Sequence, residues 1–202
     1  MVTDALQDKR PLPLTILLIV GGVLGFIAAF ELTLDKFQVL ENPASSGNLN
    51  CDASIVVQCS KNLGSAQGSA FGFPNPVIGL AGYFAVLVVG MTLLAGGRVA
   101  RWYWLVFNFG LLFAISFVIW LITQSIFFLG TLCPWCMVVW VVTIPLFLAV
   151  TFYNISTGAI PAAPGARRFF TAARSWLPII SLVCYLAIAI IAEVRLNFLA
   201  HL

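Results

Sequence analysis

Five stretches of this chain are each long and apolar enough to cross a lipid bilayer, which limits the fold before any motif is read. A spanning helix needs about 20 apolar residues, at roughly 1.5 Å rise each, to cross a hydrocarbon core about 30 Å thick. The runs fall at about 12–30, 76–95, 102–123, 132–153 and 176–192. From Trp102 to Ala166 there is no Asp, Glu, Lys or Arg. That stretch is too long for one helix, so it divides into an antiparallel pair around a tight turn at Gln124 to Thr131. Composition agrees, with 61% hydrophobic and 8% charged residues against about 25% charged in soluble domains. The expectation is an all-α integral membrane protein forming a single domain over residues 1–202, with short connections.

The first run follows Lys9 and Arg10, so a cleaved signal peptide competes with an uncleaved helix. The run exceeds the roughly 7–15 residues of a signal core, which favours the helix. The net charge of +3 comes from basic residues spread thinly along the chain, without the aromatic-interleaved patch of a nucleic-acid surface. One sizeable polar segment, 31–73, lies outside the runs; within it Pro43 to Asn50 reads as turn or loop, and Asp52 to Leu63 as a place for a short amphipathic helix. Residues 154–174, rich in Gly, Pro and Arg, read as a connecting loop. Lys and Arg are retained on the cytoplasmic side. With the N-terminus there, that side holds Lys9, Arg10, Arg98, Arg101, Arg167, Arg168 and Arg174, leaving Lys36, Lys61 and Arg195 opposite. The 31–73 loop and the Gln124 to Thr131 turn are then both expected on the outer face of a cell inner membrane.

Four of the five cysteines fall into two pairs expected at that face. Cys133-Pro134-Trp135-Cys136 is a C-x-x-C at the start of the fourth run. One helical turn brings two such sulfurs within bonding reach, and the unpaired N–H groups of a helix start favour negative charge on sulfur. Pro134 suits an early helical position because its missing N–H has no partner there anyway. Cys51 and Cys59 lie in the polar loop. Two pairs on one face suggest a relay, because thiol–disulfide exchange needs only an attacking thiolate and access. Structural disulfides and a four-thiolate zinc site are the competing readings. Zinc is disfavoured by the seven-residue gap between the loop cysteines, and structural bridging because a C-x-x-C closes too short a loop to stabilise much. Cys184, mid-run among apolar neighbours, reads as a small hydrophobe, and Gly21-x-x-x-Gly25 as a possible helix-packing pattern.

Taken together, Cys51-Asp52, Cys59-Ser60, Ser65, Phe71-Gly72, Asn75, Gly79 and Cys133-Pro134-Trp135-Cys136, in this order and spacing, resemble the vitamin K epoxide reductase-like family. The similarity covers about Leu12 to Tyr153 and is closest to its five-span bacterial members. The resemblance implies a four-helix transmembrane bundle around a quinone, capped by an outer loop carrying a short helix, with a fifth transmembrane helix added. It implies that Cys51 exchanges with a thioredoxin-fold partner, Cys59 relays to Cys133, and Cys136 faces the quinone. Asn75 matches a position that hydrogen-bonds a quinone carbonyl, against a plain turn residue before Pro76. Ser65 matches a hydroxyl near the active cysteines, against ordinary loop composition. Trp140 departs from the pattern: animal members carry a tyrosine there, whereas an indole N–H donates but does not accept.

No fused thioredoxin-like domain is expected here, so the implied partner is a separate periplasmic DsbA-like protein. The implied cofactor is a quinone of the menaquinone, ubiquinone or vitamin K type, and the implied activity is disulfide-forming quinone reduction. A DsbB-type quinone reductase is the nearest alternative, but its C-x-x-C precedes the other pair. A small transporter would place ionisable groups within its spans, and these runs hold almost none. A scaffold with structural disulfides would survive loss of either C-x-x-C sulfur without trapping a partner.

Overall fold

A computed structural model describes residues 11–41, 49 and 51–197; Lys9, Arg10 and most of the Pro43 to Asn50 turn lie outside the described residues. Seven α-helices account for most of the described chain: α1 (Leu12–Glu41), α2 (Cys59–Gly64), α3 (Pro76–Leu94), α4 (Arg101–Thr123), α5 (Pro134–Thr157), α6 (Pro164–Ala173) and α7 (Leu177–Leu196). Five segments are long and apolar enough to span a membrane, which makes the chain a multi-pass membrane protein with an all-α bundle. Their exposed faces carry large apolar side chains such as Phe84, Phe109, Ile190 and Val194, as expected of helices solvated by lipid.

Two segments differ from the sequence expectation. The first helix does not stop at Phe30 but runs to Glu41. At 30 residues it is about 45 Å long, so its last turns rise past the hydrocarbon core. Glu31, Asp35 and Lys36 had marked this part as loop, yet Leu32, Lys36 and Val39 are buried beneath the loop cap, which holds the helix together. The expected loop at 154–174 contains α6, which begins with Pro164 at its first helical position and buries none of its residues. Its Phe170 ring meets Phe152 of α5 edge-on at 5.0 Å between centroids. The expected Gln124 to Thr131 turn begins as a π-helical continuation of α4, Gln124–Leu129, and ends on Gly130 with φ +66°.

Helices α1, α3, α4 and α5 surround a central space, and α7 packs outside against α5. The α1–α3 contact is the most extensive, and glycines make it close. A Cβ at Gly25 would land in the Tyr83 ring, and one at Gly22 would lie 3.0 Å from the Leu87 backbone. Gly21 meets Leu146 of α5. The Gly21-x-x-x-Gly25 pattern therefore packs helices within the chain. By contrast, the backbones of α3 and α4 come close at few points, and both helices line the central space.

Candidate active site

The loop cap is registered on the bundle by a short parallel bridge. Gln58 N–H donates to the Leu132 carbonyl at 2.9 Å, and Leu132 N–H donates to the Val56 carbonyl at 2.7 Å. The next residues are Cys59 and Cys133, so two backbone hydrogen bonds set the two chains side by side immediately before their sulfurs. Both cysteines are completely buried. Their Sγ atoms lie 3.3 Å apart without a bond, while Cys59 is disulfide-bonded to Cys51. Cys133, Cys136 and Cys184 are thiols.

Cys133 is the N-cap of α5, its Sγ accepting from Cys136 N–H at 3.4 Å, and Pro134 occupies the first turn. Cys136, one helical turn on from Cys133, lines the central cavity. The four sulfurs thus form a chain: Cys51 at the cap, 9% exposed, then buried Cys59 and Cys133, then Cys136 at the cavity wall. Cys184 on α7 takes no part in this chain.

Asp52 ties the cap together. Its carboxylate accepts from Cys59 N–H at 2.7 Å, Ser60 N–H at 3.1 Å and Leu49 N–H at 3.1 Å. Burial would raise its pKa, but the hydrogen bonds from Ser60, Leu49 and Cys59 outweigh burial and hold it below the usual carboxylate value. A polar cluster joins the cap to the turn after α4. Asn62 donates to Thr131 Oγ1 at 2.9 Å, and Ser125 donates to Asn62 at 3.3 Å and to the Thr131 carbonyl.

Below the cap lies a cavity of about 560 Å³ with an almost wholly apolar wall, within the range that accepts a small organic ligand. Asn75, Ser65, Trp140 and Cys136 all line it. The Asn75 amide is oriented by the loop: its oxygen accepts from Ala70 N–H at 2.9 Å, and its nitrogen donates to the Gln67 carbonyl at 2.6 Å. A primary amide has two N–H donors, so one remains beyond these bonds. Ser65 is engaged locally, donating to the Asn62 carbonyl at 2.7 Å and accepting from Gly68 N–H at 3.2 Å as a helix cap. Trp140 is buried among Val118, Ile126, Leu132 and Ala192, and among the described residues no hydrogen bond involves its indole N–H.

Two cavity or cap residues escaped the sequence reading. Tyr83 of α3 lines the cavity, its hydroxyl sharing a 2.6 Å hydrogen bond with Thr143 of α5; a lone tyrosine in an apolar run was the only signal. Asp35 of α1 places a carboxylate oxygen 3.3 Å from Cys51 Sγ, a contact made across sixteen residues that spacing does not reveal.

An apolar cavity with a thiol and an amide side chain in its wall suits a planar, lipid-soluble electron acceptor. The model of the vitamin K epoxide reductase family matches residues 16–151, the segment that holds all four clustered cysteines and the cavity. No curated protein matches the chain.

Proposed function

The chain belongs to the vitamin K epoxide reductase family of membrane thiol oxidoreductases, and from that membership we propose that it re-oxidises a separate DsbA-like thioredoxin-fold protein and passes the electrons to a membrane quinone. The observation that carries this reading is the approach of the loop disulfide to the C-x-x-C, with the Cys59 and Cys133 Sγ atoms 3.3 Å apart and Cys136 in the cavity wall. In this reading the N-terminus is cytoplasmic and the cap faces the periplasm, as the distribution of basic residues implies.

The chemistry is a sequence of sulfur exchanges. A partner thiolate attacks Cys51, the more accessible sulfur of the loop disulfide, and Cys59 leaves as thiolate. The partner's second cysteine then displaces Cys51, and the partner departs oxidised. Cys59 attacks Cys133 of an oxidised C-x-x-C, and Cys136 leaves. Cys51 next attacks Cys59, restoring the loop disulfide and releasing Cys133. The structure has the bonding pattern that follows this step, with the loop pair joined and the C-x-x-C pair as thiols.

A quinone held in the cavity supplies a two-electron, two-proton acceptor. Asn75, with an amide N–H to spare, is the residue assigned to donate to a carbonyl oxygen, a bond that strengthens as negative charge develops there, while Trp140 packs in the wall beside it. Ser65 acts indirectly, by capping the turn that orients the Asn75 loop. A lipid-soluble ligand would enter from the bilayer between α3 and α4, the two cavity-lining helices whose backbones come close at few points, and so need not cross water.

The test is quinone consumption by the purified protein supplied with a reduced DsbA-like protein. Wild type turns over; Cys136→Ala does not, yet still forms a mixed disulfide between Cys51 and the partner. Quinone turnover that survives loss of Cys136 overturns the assignment.

A further inference from the structure

We propose that Asp35 is a catalytic residue of the relay, carrying the proton of Cys51 as that sulfur alternates between thiol and disulfide. The inference rests on the exchange reading above and adds to it a residue from outside the cysteine motifs. Asp35 sits on the part of α1 that rises past the hydrocarbon core, and its Oδ2 lies 3.3 Å from Cys51 Sγ. In the observed state that sulfur is bonded to Cys59 and has no proton to donate, so here the contact is a carboxylate held against a disulfide. When Cys51 is reduced, the same geometry becomes an S–H to carboxylate hydrogen bond.

The surroundings make that bond consequential. Glu31, one turn earlier on α1, and Asp52 in the cap both act electrostatically on Asp35. The nearest cation on the helix, Lys36, is turned to the Leu63 carbonyl at the end of α2. Lys61 of α2 is exposed, and α5 contributes only the thiols of Cys133 and Cys136. A negative carboxylate a few ångströms away disfavours a Cys51 thiolate and favours the neutral thiol. Free Cys51 is therefore held protonated unless its proton is transferred to Asp35.

The step that restores the loop disulfide balances with Asp35 as base. Cys51–SH, the Asp35 carboxylate and the Cys59–Cys133 disulfide become the Cys51–Cys59 disulfide, a protonated Asp35 and a Cys133 thiolate. The S–H bond and the 59–133 bond break, the 51–59 bond forms, the proton moves to Asp35, and the electron pair leaves on Cys133. When the partner's second cysteine later displaces Cys51, Asp35 returns the proton to the departing sulfur. Cys51 then leaves as a thiol, a poor nucleophile, and does not re-attack the partner's new disulfide.

The experiment follows Cys51 itself. The full-length reduced protein is alkylated over a pH series, and modification of the Cys51 peptide is read by mass spectrometry, a measurement that needs neither quinone nor partner. Asp35→Asn should raise the Cys51 rate near pH 7 by about threefold to tenfold, because a neighbouring carboxylate moves a thiol pKa by about half a unit to a unit. Asp35→Glu, which keeps the carboxylate, should restore the slow rate. In turnover with reduced partner, Asp35→Asn should accumulate the partner–Cys51 mixed disulfide while its own Cys51–Cys59 bond still forms on oxidation. An Asp35→Asn alkylation profile that overlays wild type overturns the proposal. Loss of the exchange function itself would instead appear as wild type failing to consume quinone, with the alkylation difference intact.

Discussion

The Sγ atoms of Cys59 and Cys133 come within 3.3 Å of each other while unbonded, each placed by the backbone bridge through Gln58 and Leu132 one residue earlier. A sulfur at this distance from a disulfide, buried from water, is positioned to displace one of its members. The loop and the C-x-x-C are therefore held against each other, in a register that two backbone hydrogen bonds set.

Asp52 should govern the integrity of the cap. Asp52→Asn removes the charge from three hydrogen bonds and should weaken the cap by about 1–2 kcal/mol, the scale of charge-assisted bonds reduced by partial exposure. Because the folded-state pKa is depressed, this contribution is fully present above the unfolded carboxylate value near 4 and is lost as pH falls through the lower folded value. Limited proteolysis of the cap across pH 2–7 checks this. Wild type should become susceptible only at the acid end, and Asp52→Asn should be more susceptible than wild type at neutral pH.

Asn75 both orients its own loop and is proposed to reach the ligand through the same amide nitrogen. Asn75→Asp keeps an oxygen to accept from Ala70 N–H but loses the N–H bond to the Gln67 carbonyl and sets a charged oxygen against it, so the loop should loosen and turnover should fall by about tenfold to a hundredfold or more, as when a catalytic hydrogen-bond donor is lost. Steady-state quinone reduction, with the cysteine bonding checked on non-reducing gels, reads both effects. An unchanged rate removes Asn75 from the ligand site.

Gly25 protects the cavity shape. Gly25→Ala drives a methyl group into the Tyr83 ring, and overpacking of this kind costs about 1–3 kcal/mol. Thermal unfolding in detergent should show the loss. Because Tyr83 lines the cavity, the KM for quinone should rise as well. Gly82→Ala, at a glycine with open space around its Cβ position, is the control expected to leave stability near wild type.

Much of this arrangement was legible in the sequence, and the remainder was hidden for identifiable reasons. Hydropathy located the five spanning helices because lipid imposes one rule on all of them, and the C-x-x-C named the start of α5. The helix from Glu31 to Glu41 was missed because its charges resemble a loop when the cap that buries Leu32, Lys36 and Val39 is out of view. Helix α6 was hidden by the Gly, Pro and Arg of its segment. Asp35 and Tyr83 act through contacts with distant residues, and the packing role of Gly21 and Gly25 needed the facing Leu146 and Tyr83 to be seen.

The central claim is that Cys59 and Cys133 exchange directly. In a Cys51→Ala, Cys136→Ala double variant these two sulfurs have lost their usual partners, and mild oxidation followed by non-reducing peptide mass spectrometry reports what they do. The account predicts a Cys59–Cys133 disulfide in nearly all molecules. Cys59 and Cys133 both remaining open to alkylation, or either one joining Cys184 instead, would contradict it.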